Sequence, residues 1–218
     1  MKKYELTTET LQFAGRTLHR IKAVKDFDSI KAGEFGGWIE NEKNLSQDDN
    51  AWIYSDAMVF DNAKILGNAE VYGNAKVYGY AKVYGNAEVY GYANVSDYVN
   101  VFGNAEVYGN ANVFGYANVS DDAKVYGNAK VYGNAAIKGD AKVHDAVDYI
   151  VFKNFWSSGR YFTWTSSNNK WSVGCFYGTG EELIKKAYAD SEKSGREYER
   201  VVRYVESILA DEKKEKSN

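Results

Sequence analysis

An aliphatic residue recurs at every sixth position, without a break, through the middle of this 218-residue chain. The sixteen members of the series are Ile53, Val59, Ile65, Val71, Val77, Val83, Val89, Val95, Val101, Val107, Val113, Val119, Val125, Val131, Ile137 and Val143. An alanine stands two residues before each, except at Val99, and the common unit reads Ala-x-Val-Tyr-Gly-Asn. A period of six fits neither an α-helix nor a sheet with ordinary loops. The pattern therefore predicts stacked repeats.

Each unit predicts a short strand followed by a turn. Alanine and valine alternate with outward residues, so they face one side of the strand. Gly-Asn then turns the chain, because both residues tolerate positive φ at little cost. Three units would close a triangular coil, with each strand paired to its equivalent about 4.8 Å away in the next coil. Earlier units at Ile39 and Leu45, offset by a two-residue insertion before Ile53, extend the prediction to about five to six coils.

The spacing resembles the hexapeptide-repeat, left-handed parallel β-helix family, in which a small residue follows the aliphatic one by four positions. Val71 with Ala75 and Val77 with Ala81 match that spacing. The resemblance implies a left-handed coil, an exception to the usual right-handed crossover. Many family members are trimeric acyltransferases that use a histidine between subunits. We therefore expect a homo-oligomer, either a trimer or a dimer through neutral aromatic faces. The fold alone does not establish an activity.

The chain divides by pattern into four parts. We predict an N-terminal β cap over residues 1–38, the β-helix over 39–146, a C-terminal unit over 147–210 and a fraying charged tail over 211–218. The C-terminal unit should contain three strands, at 149–155, 160–166 and 170–177, followed by two helices. Thr179 and Glu182 have the spacing of a capping box that opens the first helix. The helices are expected to cover the sheet or the open end of the β-helix.

Composition excludes several classes of protein. Cys175 is the only cysteine, and His19 and His144 are the only histidines, so intramolecular disulfides, multi-cysteine zinc sites and a three-histidine metal centre within one subunit are excluded. The 27 basic and 30 acidic residues argue against general nucleic-acid binding. No apolar run is long enough for a membrane span or a secretion signal. We expect a cytoplasmic protein with no cofactor, no metal and no catalytic set, and Cys175 as an ordinary strand residue.

Steps of 18 residues place one outward surface, here called the tyrosine–glutamate face. Its members are Tyr72, Tyr90 and Tyr108 beside Glu70, Glu88 and Glu106. Stacked tyrosines stiffen adjacent coils, which is a purely structural interpretation. Exposed aromatic surface of this extent also favours a binding face. Three carboxylates in a column repel one another, so this face should remain solvated or meet a basic partner rather than a copy of itself.

The C-terminal strands concentrate aromatic and cationic residues, here called the aromatic cluster. Its members are Trp156, Arg160, Phe162, Trp164, Lys170 and Trp171. Aromatic rings beside arginine and lysine suit stacking of a base and holding of a phosphate, so the cluster predicts a site for a nucleotide-like molecule. The structural alternative is a small sheet whose aromatic residues pack on the two helices.

Both ends of the chain carry a second resemblance. The segments Gly15-Arg16-Thr17-Leu18, Gly36-Gly37-Trp38-Ile39 and Gly174-Cys175-Phe176-Tyr177 are similar to uncharacterised proteins of bacteriophage and prophage genomes. The resemblance implies an accessory phage protein in the host cell that counters a host defence. We therefore favour a non-catalytic binding protein that sequesters a nucleotide-like signal or blocks a host defence protein.

Two alternatives stay open. One is a structural or oligomerisation module of a phage. The other is a hexapeptide-repeat acyltransferase, for which His144 is the candidate general base and Asp145 and Asp148 are the nearest acidic residues.

Overall fold

The computed structural model describes residues 2–215, which divide into two compact units with their boundary between Asp148 and Tyr149. The first unit is the parallel β-helix that the six-residue period predicts, with the left hand that the family resemblance implies. Three sheets of parallel rungs form its sides, and each side has six rungs when the bridge at Leu45 is included. The second unit is a four-stranded antiparallel sheet with two helices. The predicted fold class is confirmed.

The N-terminal segment is an antiparallel hairpin joined to the first coil. Its strands are β1 (Tyr4–Phe13) and β2 (Arg16–Ala23), and β2 pairs antiparallel with β3 (Phe35–Ile39). A short 3-10 helix follows at Glu42–Asn44. Strand β3 also pairs in parallel with the next coil, so it belongs to the hairpin sheet and to the β-helix at once.

The coils are built from two-residue strands. Strands β4 to β19 are Trp52–Ile53, Met58–Val59, Lys64–Ile65, Glu70–Val71, Lys76–Val77, Lys82–Val83, Glu88–Val89, Asn94–Val95, Asn100–Val101, Glu106–Val107, Asn112–Val113, Asn118–Val119, Lys124–Val125, Lys130–Val131, Ala136–Ile137 and Lys142–Val143. The sheets run β1-β2-β3-β5-β8-β11-β14-β17, β4-β7-β10-β13-β16-β19 and β6-β9-β12-β15-β18.

The register of the sheets agrees with the repeat. Val89 pairs with Val71 below and Val107 above, at steps of 18 residues. Ile39 instead pairs with Val59, twenty residues ahead, as the two-residue insertion before Ile53 requires. The inward alanines and valines of the coils, Val99 included, are fully buried. Burial of this column, together with the hydrogen bonds between coils, stabilises units that are too short to fold alone.

The hairpin is anchored to the first coil by two buried polar side chains. The Lys3 side chain is 1% exposed, and its Nζ donates to the carbonyl oxygens of Asp49 (2.7 Å) and Ala51 (2.8 Å). Burial lowers the pKa of Lys3 to about 8, against the opposing charge of Asp49. The Tyr4 hydroxyl donates to the Leu45 carbonyl at 2.8 Å. These contacts account for the burial of Lys3, which serves to hold the cap.

The second unit differs from prediction at one strand. Its strands are β20 (Tyr149–Lys153), β21 (Tyr161–Thr165), β22 (Lys170–Val173) and β23 (Phe176–Gly178). The strand expected at 170–177 is therefore two strands. Gly174 adopts φ 58° and turns the chain back, which gives four strands rather than three.

Two helices pack on this sheet. They are α1 (Gly180–Asp190) and α2 (Glu192–Glu215), and α1 opens on the predicted capping box of Thr179 and Glu182. Because α2 continues to Glu215, the tail predicted to begin at 211 is helical through that residue. The rest of that predicted tail, residues 216–218, lies outside the described residues. No helix in the described part of the chain is long and apolar enough to cross a membrane.

Candidate functional site

The aromatic cluster of the C-terminal unit is divided between core and surface. Phe162, Trp164 and Trp171 are at most 3% exposed and lie in the core that the sheet forms with the helices. The Phe162 ring packs edge-on against Tyr198, with centroids 4.6 Å apart. The Trp164 indole nitrogen donates to Asn169 at 2.9 Å.

The remaining members do not complete a ligand site. Trp156 is 64% exposed in the loop after β20, where its backbone N–H donates to Asn154. Arg160 is exposed, and its Cδ lies beside Gly174. Lys170 is half-buried at the start of β22. The rings of Phe162, Trp164 and Trp171 are covered by α1 and α2, because that face of the sheet supplies the core, and they do not form one open surface with Trp156 and Arg160. Ligand binding by this cluster stays a prediction.

The tyrosine–glutamate face forms a hydrogen-bonded ladder. The Tyr72 hydroxyl donates to Glu88 at 2.5 Å, and the Tyr90 hydroxyl donates to Glu106 at 3.0 Å. Glu106 also accepts from Lys124 Nζ at 2.6 Å. Tyr72 and Tyr90 stack with ring centroids 4.7 Å apart. The phenols of Tyr72 and Tyr90 thus each contact the carboxylate of the next coil, whereas the coil after Tyr108 carries Lys124 in place of a glutamate.

The ladder changes the electrostatics expected for this face. Burial, and then the hydrogen-bonded carboxylate, raise the pKa of both Tyr72 and Tyr90 above the ordinary value. Glu70 likewise accepts from Tyr54, at 3.1 Å. The three carboxylates are therefore satisfied from within the chain, so the structural interpretation of the face accounts for its contacts. A partner for Glu70, Glu88, Glu106, Tyr72, Tyr90 and Tyr108 stays a prediction.

A histidine–aspartate pair stands at the C-terminal end of the same tyrosine column. His144 Nδ1 lies 2.6 Å from Asp145 Oδ2, and the imidazole packs edge-on against Tyr126 with centroids 5.1 Å apart. Asp148 accepts from the backbone N–H groups of residues 144 and 145, at 2.7 and 2.8 Å. The imidazole is half exposed. Asp148 thus fixes the turn, and Asp145 fixes the ring.

Gly127 supplies the space in which this imidazole sits. A Cβ at position 127 would lie 2.5 Å from both Nε2 and Cδ2 of His144, which no real structure tolerates. Gly127 also adopts φ 64°. In the tautomer with hydrogen on Nδ1, the Nδ1–H donates to Asp145 and Nε2 is the ring nitrogen left as an acceptor. The arrangement has the geometry of a general base with an orienting carboxylate.

A groove on another side of the β-helix was not predicted as a site. It has a volume of about 540 Å³, and it is lined by Asn62, Lys64, Tyr80, Lys82, Tyr98, Asn100 and Tyr116. The 18-residue step predicts the stack of the corner tyrosines, but it does not show that a lysine of the following strand lies beside that stack. The sequence signal for the groove is that Lys82 follows Tyr80 by two residues, just past the same corner.

Other candidate chemistry is limited. Cys175 is a free, exposed thiol in the turn between β22 and β23, which corrects its predicted place inside a strand. Among residues 2–215 no group of three or more histidine, cysteine, aspartate or glutamate residues is placed to hold a metal ion. His19 lies in β2 opposite Ile39.

Comparison with known proteins adds one finding. No family model matches the chain. It is 39% identical, over 62 residues, to the uncharacterized acetyltransferase YdcK of Escherichia coli K12. The match covers 25% of this chain and 19% of that relative, so the chain spans less than a fifth of the relative's length.

Proposed function

We propose that this protein is an acyltransferase of the hexapeptide-repeat type and that His144, oriented by Asp145, is its general base. The observation that carries the proposal is the 2.6 Å contact between His144 Nδ1 and Asp145 on an outward face of the β-helix. The local likeness to a protein named as an acetyltransferase supports it. Acyl transfer thus takes the place of non-catalytic binding, which the sequence favoured, as the first candidate function.

The chemical step follows from the free Nε2 atom. His144 takes the proton of an acceptor amine or hydroxyl while that nitrogen or oxygen attacks the carbonyl carbon of an acyl thioester. The new bond to the acyl carbon forms and the carbon–sulfur bond breaks. The proton held on Nε2 then passes to the leaving thiolate, which departs as a thiol. Asp145 stabilises the imidazolium formed in between and remains ionised.

The test is release of free thiol from acetyl-coenzyme A, measured with a panel of amine and hydroxyl acceptors. Loss of a general base costs about 10²- to 10⁴-fold in rate, so His144→Gln should reduce thiol release by at least about 100-fold. Loss of the orienting carboxylate in Asp145→Asn should reduce thiol release by up to about 10⁴-fold, the loss seen for an orienting aspartate beside a general-base histidine. His19→Gln is the matched control and should leave the rate unchanged. Acceptor-dependent release that survives in His144→Gln contradicts the proposal, as does its absence from the unaltered protein.

Non-catalytic capture of a nucleotide-like molecule is the second candidate, because the groove beside Tyr80 combines aromatic rings with lysines. The comparisons do not bear on a phage setting, an anti-defence role or a host protein partner. These remain predictions from the terminal motifs, as does the expected cytoplasmic location. A structural role in a phage has no observation in its favour beyond the regular fold.

A further inference from the structure

The corner tyrosines beside the groove form a short stack with exposed edges. The ring centroids of Tyr80 and Tyr98, and those of Tyr98 and Tyr116, are 5.0 Å apart, with interplanar angles of 2° and 4°. The three residues are 49% to 58% exposed. Each ring face within the stack is covered by the next ring, so an incoming flat ligand has access to the faces at the two ends.

The end of the stack toward the N-terminus is open. Asn62 occupies the corner one coil before Tyr80, and its backbone N–H donates to Gly79 at 2.8 Å. Within residues 2–215, no second ring packs on Tyr80 from that side, and the Asn62 side chain makes no hydrogen bond. At another corner the equivalent asparagines bond to one another, as Asn68 does to Asn86 at 3.0 Å. Asn62 is thus the short polar side chain that stands one coil before Tyr80, in the position where the stack has no further ring.

Two lysines stand beside this open end. Lys64 and Lys82 pair directly in adjacent rungs of the same sheet, and both are exposed. Neither has an ion pair, a hydrogen bond or a ring contact from its side chain in the described part of the chain. No acidic residue lines the groove. The two ammonium groups repel one another, and an anion between them would relieve that repulsion.

We infer that this groove binds a nucleoside monophosphate. The base stacks on the open face of Tyr80, the Asn62 amide donates to and accepts from the edge of the base, and the phosphate lies between Lys64 and Lys82. Stacking on an aromatic side chain and a phosphate held by cations are the two elements of recognition common to nucleotide sites. The groove volume of about 540 Å³ is in the range of small-molecule sites.

This inference names the ligand of the second candidate function and rests on that candidate, and it does not depend on the proposed acyl transfer. Lys64 and Lys82 belong to the five-stranded sheet, whereas His144 follows the last strand of the six-stranded sheet. The two sites therefore lie on different sides of the β-helix, and variants in one leave the other intact. Failure of one proposal is distinguishable from failure of the other.

The test is calorimetric titration of the full chain with AMP, GMP, CMP and UMP. At least one should bind with a dissociation constant below 1 mM, and its nucleoside and ribose 5-phosphate should each bind at least about 10-fold more weakly. Tyr80→Ser should weaken nucleotide binding by about 5- to 100-fold, the range for loss of one base stack. Lys82→Gln should weaken binding of the nucleotide and leave that of the nucleoside unchanged.

Two controls accompany the titration. Tyr92→Ser removes another exposed corner tyrosine, one that does not line the groove, and it should bind as the unaltered protein does. His144→Gln should also bind normally. The inference is overturned if no nucleotide binds below 1 mM. It is also overturned if ribose 5-phosphate binds as tightly as the nucleotide and Tyr80→Ser has no effect, since the lysines then attract any anion. Thermal unfolding of each variant is measured to check that the variant is folded.

Discussion

At the scale of the residue, the corners of the β-helix depend on a left-handed backbone conformation at one position in each unit. Glycine holds most of these positions, for example Gly91 at φ 72°. Asp61, Asp97 and Asp121 adopt φ of 57°, 59° and 63° at the same place. Each of these aspartates accepts a hydrogen bond from a glycine N–H one coil ahead, as Asp97 does from Gly115 at 2.9 Å. The hydrogen bond offsets the cost of the conformation.

The hydrogen bond and the left-handed backbone together predict different effects on stability for two substitutions at position 97. Asp97→Gly loses the hydrogen bond to Gly115 but relieves the left-handed strain, so the free energy of unfolding should change by less than about 1 kcal/mol. Asp97→Ala loses the hydrogen bond and keeps the strain, and should destabilise the protein by about 1–3 kcal/mol. Urea unfolding of both variants at neutral pH gives the comparison. Equal destabilisation by the two would show that the aspartate has no conformational role.

The inward residues and the corners could be predicted because both depend only on the local six-residue period. The contacts of outward side chains could not. Nothing in the spacing of Tyr72 and Glu88 shows that the phenol reaches the carboxylate in the next coil, because that depends on the side-chain rotamers of both residues. Likewise, His144 and Asp145 are adjacent in sequence, but the space over Gly127 that holds the ring is visible only once the coils are stacked.

At the scale of the element, alternation along a strand identifies two faces but not which one is covered. Alternation puts Phe162 and Trp164 on one face of β21, yet the sequence did not decide between a ligand and the helices as the partner of that face. The helices cover them, since the apolar residues Val202 and Val205 of α2 need the same surface. The turn at Gly174 was missed because an isolated glycine within an aromatic strand is compatible with continuation of the strand.

The tyrosines bonded to the column of glutamates on the tyrosine–glutamate face make the free energy of unfolding depend on pH in the alkaline range. Burial and the neighbouring carboxylates raise the pKa of Tyr72 and Tyr90, and they raise that of Tyr54 to about 12. A tyrosine whose pKa is higher in the folded than in the unfolded state binds more protons when folded above pH 10. Its contribution to stability is complete below pH 10 and is lost as the pH rises through the folded-state pKa.

We therefore expect the free energy of unfolding to fall between pH 10 and pH 12. The triple variant Tyr54→Phe, Tyr72→Phe and Tyr90→Phe should show a clearly smaller fall, because its rings cannot ionise. Urea unfolding at pH 8, 10 and 11 measures both. As a control, Tyr92→Phe removes an exposed phenol outside the face and should retain the full dependence. Identical slopes for the triple variant and the unaltered protein would contradict the role given to this face.

In the whole molecule, the two units differ in what their exposed and buried side chains do. The first, through Asp148, carries both proposed sites on outward side chains of a rigid β-helix. The second, from Tyr149 onward, uses Phe162, Trp164, Trp171 and Tyr198 in the core between its sheet and its helices. The number of subunits stays a prediction, a trimer or a dimer, which light scattering measures. A subunit interface beside the half-exposed His144 would agree with the position of the histidine that the resemblance to hexapeptide-repeat acyltransferases implies.

The central claim is that this protein acts through the outward side chains of its β-helix and not through the aromatic cluster of its C-terminal unit. Nuclear magnetic resonance of labelled protein, titrated with acetyl-coenzyme A and with the four nucleoside monophosphates, tests it directly. We predict that acetyl-coenzyme A shifts the His144 imidazole signals, that a nucleotide shifts the Asn62 amide and Tyr80 ring signals, and that the indole signals of Trp164 and Trp171 stay in place. Shifts confined to residues 156–171, with none on the β-helix, would contradict the claim.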